Sequence, residues 1–197
     1  MGVAGAHQAN LFGFAGDAKT CAEIHISGTG GSAAEQDAMK ALLAGFTPHL
    51  AYQPNAMDYF RIGSILFKSA PKLAAPYYKA SLDAMPNDAK VLTPRRVVTD
   101  QLVMSLGMGG DTKGARAVAE KAILADPDYP LNYYNLACAD AEEGNVAQAK
   151  THLKQAFDRR ANVIEGEPMP DPTQDDSILK LKSDPAFWAF VQSLPKK

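Results

Sequence analysis

The chain has 197 residues, enough for one domain with a hydrophobic core, and its hydrophobic content of 46% is ordinary for a globular protein. Its 20 basic and 22 acidic side chains give a formal net charge of −2, which excludes the basic surface typical of nucleic-acid-binding proteins. No stretch approaches the roughly 18 to 20 apolar residues of a transmembrane helix, so we expect a soluble protein. The compartment stays open between the cytoplasm and export after removal of a signal peptide.

Residues 1–32 differ in composition from the rest of the chain. They are rich in glycine, alanine and small polar residues, and the run of Gly, Ser and Thr over 27–32 predicts a loop or linker. Weak alternation over 21–26 allows one short strand. We therefore interpret residues 1–32 as an N-terminal extension or linker, whose structure and role the sequence leaves undecided.

A helical domain is predicted over residues 33–197. Ser32 precedes Glu35 by three residues, the spacing of a capping box at a helix start. Apolar residues then follow at helical intervals, namely Met39, Leu42, Leu43 and Phe46. Because Pro48 and Pro54 close this segment, residues 33–54 are either a remnant of a helix pair or a capping helix.

Three helix pairs follow, over about 55–88, 96–129 and 130–161. Asn55 is a candidate N-cap of the first pair, and Pro71 suits the first turn of its second helix. Gly110 and Gly144 lie in the turns of the later pairs, where a residue with positive φ is wanted. A proline- and acid-rich connection over 165–175 leads to short helices over about 175–194.

The last two pairs form a repeat, because corresponding residues are 34 positions apart. The matched residues are Leu102 with Leu136, Gly110 with Gly144, Asp111 with Asn145, Ala115 with Ala149, and Ala122 with Ala156. This period and its small residues resemble the tetratricopeptide repeat (TPR) family. The pair over 55–88 is interpreted as a degenerate copy.

The resemblance implies an all-α fold in which antiparallel helix hairpins stack as a short TPR-like right-handed solenoid. Small residues are expected where the two helices of a hairpin cross, at Ala115, Ala122, Ala137, Ala149 and Ala156. The C-terminal helices over about 175–194 are predicted to cap the last hairpin, since the end of a repeat array otherwise exposes apolar surface.

In this family the first helix of each hairpin lines a concave groove that usually holds a peptide. Carried over by position, the resemblance implies a peptide-binding groove formed by Phe60, Arg61, Asp100, Gln101, Met104, Leu131, Tyr134, Asn135 and Cys138. Asn135 occupies the position where clamp-type members hold a peptide carboxylate, but Asp100 and Gln101 replace the basic partners of that clamp. A mixed apolar and polar groove suits a peptide or a helix. Alternatively, Phe60 and Tyr134 are packing residues between hairpins.

No arrangement typical of catalysis is found in the sequence. His7, His25, His49 and His152 are scattered without the spacing of a metal site, and residues 28–31 lack the lysine of a phosphate loop. Cys21 and Cys138 are either two free thiols or one bridge, and Cys138 falls in a helix where a buried, inert thiol is expected. We therefore predict no catalytic residue, metal or cofactor, and a protein that is not an enzyme.

The sequence favours a scaffold that binds a peptide or helical segment of a protein partner. One alternative is a structural subunit that self-associates, or caps an assembly. Another is a non-catalytic domain of a larger enzyme or of an exported protein, which would make the chain a fragment. The sequence identifies neither the partner nor the oligomeric state.

Overall fold

A computed structural model describes residues 8–16, 21–29, 32–46, 53–86 and 88–195. The chain divides into two compact units, Met1–Gln53 and Pro54–Lys197. The predicted helical fold is confirmed, since the described chain is mostly helical and its strands form one two-stranded sheet. No helix in these ranges is long and apolar enough to cross a membrane.

The first unit contains a β-hairpin and one helix. Strand β1 (Gln8–Gly16) pairs antiparallel with β2 (Cys21–Thr29), so that Gln8 lies opposite Thr29. The predicted strand over 21–26 is present, but it continues through residues 27–29, where the glycine and serine content predicted a loop. The pairing with β1 explains the difference, because it satisfies backbone groups over the whole length of β2.

Helix α1 (Ala33–Ala44) packs against both strands. Its predicted capping box is confirmed: the backbone N–H of Glu35 donates to Ser32 Oγ, and that of Ser32 donates to Glu35 Oε2 at 2.9 Å. Met39 is the buried residue of α1, and its sulfur lies 3.5 Å from the position that a Cβ on Gly28 would take. Helix α1 is thus grouped with the hairpin in one unit, whereas the sequence grouped it with the helical domain.

The second unit stacks three antiparallel helix hairpins. They are formed by α2 (Ala56–Leu66) with α3 (Pro71–Ala84), α4 (Leu92–Met108) with α5 (Thr112–Ala125), and α6 (Pro130–Glu142) with α7 (Val146–Asp158). Stacking brings α3 against α4 and α5 against α6. Short 3-10 helices over Ala89–Val91 and Arg160–Asn162 precede α4 and follow α7.

The hairpin turns repeat in detail. Gly110 and Gly144 have φ angles of 85° and 76°, the left-handed region that the sequence predicted for them. Each is followed by a residue whose backbone N–H closes the preceding helix: Asp111 donates to the Leu106 carbonyl and Asn145 to the Asp140 carbonyl, both at 2.8 Å. The two turns therefore end their helices in the same way.

Alanines occupy the crossings within and between these hairpins. Ala115, Ala137, Ala149 and Ala156 are buried as predicted, whereas Ala122 is half-buried and Ala119 takes a fully buried place on α5. Ala119 lies about one helical turn before Ala122 on α5. A small side chain at these places allows the helix backbones to approach closely.

Two short helices, α8 (Asp176–Leu179) and α9 (Pro185–Ser193), complete the unit. Asp184 caps α9 by accepting a 2.8 Å hydrogen bond from the Phe187 backbone N–H. Phe187 and Val191 belong to the same buried cluster as Leu153 and Phe157 of α7. The predicted cap over the last hairpin is therefore confirmed.

Candidate functional site

The first helices of the last two hairpins, α4 and α6, contact each other and share one side of the array. A cavity of about 600 Å³ lies along them. Six of the predicted groove residues line it: Asp100, Met104, Leu131, Tyr134, Asn135 and Cys138. The positions carried over from the sequence thus come together on these two helices.

The other three predicted residues lie outside this cavity. The Phe60 ring packs 6.0 Å from the Tyr78 ring, centroid to centroid, and Gln101 Oε1 accepts a 3.4 Å hydrogen bond from the Tyr78 hydroxyl. Arg61 is exposed on α2. Phe60 and Gln101 therefore take part in packing around Tyr78, at the junction of α2, α3 and α4.

Residues 165–182, called the C-terminal segment below, run along the groove side of α6. The Tyr129 hydroxyl donates a 2.7 Å hydrogen bond to Glu167, and the Tyr134 hydroxyl donates a 3.2 Å bond to Asp175. The Cys138 thiol lies 3.7 Å from the same Asp175 carboxylate. Carboxylates of the C-terminal segment thus contact Tyr129, at the N-cap of α6, and Tyr134 and Cys138 within α6.

Glu142, at the C-terminal end of α6, bonds to the same segment. Its carboxylate accepts a 2.7 Å hydrogen bond from Ser177 Oγ and pairs with Lys180 Nζ at 2.5 Å. The hydrogen bond with Lys180 is the main reason why the pKa of Glu142 is below its ordinary value. The pair is partly exposed, so its main effect is to position α8 on α6.

This arrangement buries the α6 side of the predicted groove. Leu131 and Tyr134 are only 5% and 3% exposed, and Asn135 and Cys138 are half-buried. On α4, by contrast, Met104 and Met108 remain 39% and 57% exposed and line the same cavity. The accessible part of the groove therefore lies along α4, opposite the C-terminal segment.

Asp100 and Asn135 form the polar link between the two helices. Asn135 Nδ2 donates a 2.7 Å hydrogen bond to Asp100 Oδ1. The pKa of Asp100 is raised to about 6, mainly by burial; the hydrogen bond from Asn135 opposes the shift, and the charge of Glu167 adds to it. A carboxyl group with this pKa changes its charge near neutral pH.

Burial also controls the ionisation of the neighbouring groups. It raises the pKa of Tyr134 above its ordinary value, and the charge of Asp175 acts in the same direction. It likewise raises the pKa of Cys138 well above the value of a free thiol, again with Asp175 contributing. Cys138 is therefore held as a neutral thiol, in line with the inert role expected for it. Its thiol is free.

The structure describes two of the four histidines, His25 in the first unit and His152 in the second. His25 stacks on Phe12 and contacts Asn10, whereas His152 pairs with Asp140 between α6 and α7. Within the described ranges, no group of three or more His, Cys, Asp or Glu side chains is placed to hold a metal ion. His7, His49 and the glycines at 30 and 31 lie outside the described residues.

Two groups of residues at the groove were missed by the sequence prediction. Met108 follows Met104 by one helical turn, and helical spacing alone would have found it. Asp175 and Lys180 gave no such signal, because their contacts depend on the path of the C-terminal segment back along α6. The proline- and acid-rich composition of that segment indicates a solvated loop, yet it supplies one wall of the cavity.

Comparison with known proteins supports the fold. The sequence matches no family model and no curated protein. Among solved structures, the chain is similar to the Sgt2 TPR domain from Aspergillus fumigatus, with a TM-score of 0.50 and 15% sequence identity. The similarity covers 77% of this chain and 92% of that domain. At this identity the likeness concerns architecture, and it shows that the helical unit has a TPR-like repeat fold.

Proposed function

We propose that the chain is a non-catalytic scaffold that binds a peptide or helical segment of another protein along α4, in the groove closed on its other side by the C-terminal segment. The observation that carries the proposal is the cavity of about 600 Å³ between α4, α6 and the C-terminal segment. Its size and its mixed lining fit a few side chains of a bound segment.

The exposed methionines support a peptide rather than a small rigid ligand. Met104 and Met108 project into the cavity from consecutive turns of α4, and both are substantially exposed. Unbranched, polarisable methionine side chains adapt to different apolar partners, and they are frequent on surfaces that bind helical segments. The TPR-like architecture agrees with this use of the first helices.

A peptide-display selection tests the proposal. We expect the native chain to enrich a set of peptides from a random library, and the Met104→Gln/Met108→Gln variant to lose them, because it removes the apolar contact surface. The matched control is Leu124→Gln, which makes the same kind of change at a residue of α5 that is 86% exposed. Peptides retained equally by all three folded proteins, or no enrichment at all, would contradict the groove assignment.

Self-association is the second candidate, and the first hairpin favours it. Ile62 and Ile65 on α2, with Leu73 and Tyr77 on α3, are exposed apolar residues, and Ile65 is 78% exposed. Apolar residues exposed at the end of a repeat array are commonly covered by another surface. Sedimentation that shows a mass rising with concentration, and a constant mass for Ile65→Gln/Leu73→Gln, would favour this role over a monomeric scaffold.

A further inference from the structure

The charges around the groove are unbalanced. Asp100, Glu142, Asp175 and Asp176 line the cavity, and Lys180 is the base among the lining residues. Lys180 is paired with Glu142. None of the ion pairs formed by the described residues includes Asp100, Asp175 or Asp176. The open groove therefore presents a negative potential.

Asp175 and Asp100 differ in how far their charge is compensated by the chain itself. Asp175 accepts hydrogen bonds from the backbone N–H groups of Ser177 and Ile178 and from the Tyr134 hydroxyl. Asp100 accepts its hydrogen bond from Asn135 alone among the described residues, although it is half-buried and faces the charge of Glu167. A cationic group placed beside Asp100 would offset the free-energy cost of burying its charge and the repulsion from Glu167.

Apolar surface lies next to this carboxylate. Met104 is one turn along α4 from Asp100, and Met108 is one turn further. Between the methionines, Gly107 has nothing within 4 Å of the position where a Cβ would lie, so α4 leaves open space there. A ligand following α4 would thus meet one carboxylate and then an adaptable apolar stretch.

We propose that the groove selects a basic amphipathic segment, in which a lysine or arginine side chain pairs with Asp100 and apolar side chains contact Met104 and Met108. This inference rests on the proposed function and names the chemistry of its ligand. Charge complementarity sets both the preference and its sensitivity to salt.

Three synthetic peptides of equal length test the selectivity by fluorescence anisotropy. They share the same leucine and phenylalanine positions and carry lysine, glutamine or glutamate at the remaining ones. We expect the native chain to bind the lysine peptide about tenfold more tightly than the glutamine peptide, and the glutamate peptide most weakly. The preference for lysine should decrease between 50 mM and 500 mM salt. Equal affinities for the three peptides would overturn the proposal.

Asp100→Asn identifies the residue responsible. This variant keeps an oxygen that accepts the hydrogen bond from Asn135, so the fold is expected to persist, as circular dichroism would verify. The lysine and glutamine peptides should then bind within about twofold of each other. Asp83→Asn is the matched control: it removes an exposed acid of α3 that pairs with Lys79 outside the groove, and the preference for lysine should remain.

The outcomes separate this inference from the proposed function. A lysine preference that survives in Asp100→Asn, or that is lost equally in Asp83→Asn, overturns the assignment to Asp100. Binding that ignores peptide charge but is abolished by Met104→Gln/Met108→Gln leaves the groove in place and removes its selectivity for basic segments. Failure of the native chain to bind any of the three peptides overturns this inference, while the peptide-display selection still decides whether the groove binds a segment of another kind.

Discussion

A single buried carboxylate joins the last two hairpins. Asp140 on α6 is fully buried; its Oδ1 accepts a 2.6 Å hydrogen bond from Arg116 of α5, and its Oδ2 lies 2.5 Å from Nδ1 of His152 on α7. Arg116 also pairs with Glu143 at 2.9 Å. A buried charge is tolerated when charged and hydrogen-bonding partners surround it, and here the partners come from two other helices.

Replacing Asp140 by alanine is expected to lower the free energy of unfolding by about 3 kcal/mol, because Arg116 and His152 lose a common buried partner. The value lies at the low end of the range for buried pairs, since these two side chains are 23% and 22% exposed. Urea unfolding followed by circular dichroism measures the loss. The control Asp83→Ala breaks the exposed pair with Lys79 and should change stability by less than about 0.5 kcal/mol. Equal losses in both variants would show that the Asp140 network contributes little.

At the same scale, the surroundings of the predicted groove residues were only partly predictable. Asp100, Asn135 and Met104 line the cavity along α4 and α6, and their part in binding a peptide stays a prediction. Tyr134 was left open between a groove residue and a packing residue, and its hydroxyl is held by Asp175 from a segment 41 residues further along the chain. Sequence spacing reports which side of a helix a residue occupies, but it does not report what later covers that side.

At the scale of elements, the first hairpin depends on a glycine. A Cβ on Gly63 of α2 would lie 2.9 Å from the ring of Tyr78, which is fully buried on α3. Phe67 packs on the edge of the same ring. The aromatic side chain cannot easily move, so the glycine sets the distance between α2 and α3.

Gly63→Ala is therefore expected to destabilise the chain by about 1 to 3 kcal/mol, even though alanine favours helix formation. Gly107→Ala serves as the matched control, because it lies in a helix with open space at the Cβ position and should stabilise by about 0.5 to 1 kcal/mol. Thermal or urea unfolding compares the two variants. If Gly63→Ala were as stable as Gly107→Ala, the close approach of α2 and α3 would not depend on this position.

Elements determined by local contacts were predictable, and those determined by distant ones were not. The capping box of α1, the Asn55 cap of α2 and the turn glycines depend on residues a few positions apart, and all are present. Strand β2 gave only a weak signal, and its length is determined by β1, which the sequence did not reveal. The extra length of β2 is therefore a property of the pair.

At the scale of the whole molecule, the repeat was visible in the sequence because its period persists in small residues. Two turns 34 residues apart end their helices with the same hydrogen bonds, and that regularity predicts stacked hairpins. The C-terminal segment follows no period. Its place along α6 depends on contacts of Glu167, Asp175 and Lys180 with residues at the N-cap of α6 and within it, far back in the sequence.

Because Asp175 of the C-terminal segment contacts Cys138, the reactivity of the Cys138 thiol can report when this segment leaves α6. While the C-terminal segment lies on α6, the Cys138 thiol is half-buried and its pKa is raised, so an alkylating reagent should modify it slowly. Alkylation of the folded chain then measures how often this segment leaves α6. Mass spectrometry of the peptide containing residue 138 separates this signal from that of Cys21.

Asp175→Ala should accelerate the modification of Cys138 about tenfold or more. It removes two N–H bonds at the start of α8 and the contacts to Tyr134 and Cys138, and it also removes a charge that helps to raise the pKa of the thiol. Asp184→Ala removes a comparable cap from α9 without touching Cys138, and should have a much smaller effect. Equal acceleration by the two would mean that the end of the chain opens as one piece. A peptide that occupies the groove would then change the alkylation rate, because Cys138 lines the same cavity. The rate of reaction at this one sulfur atom would thus detect a bound ligand that carries no label.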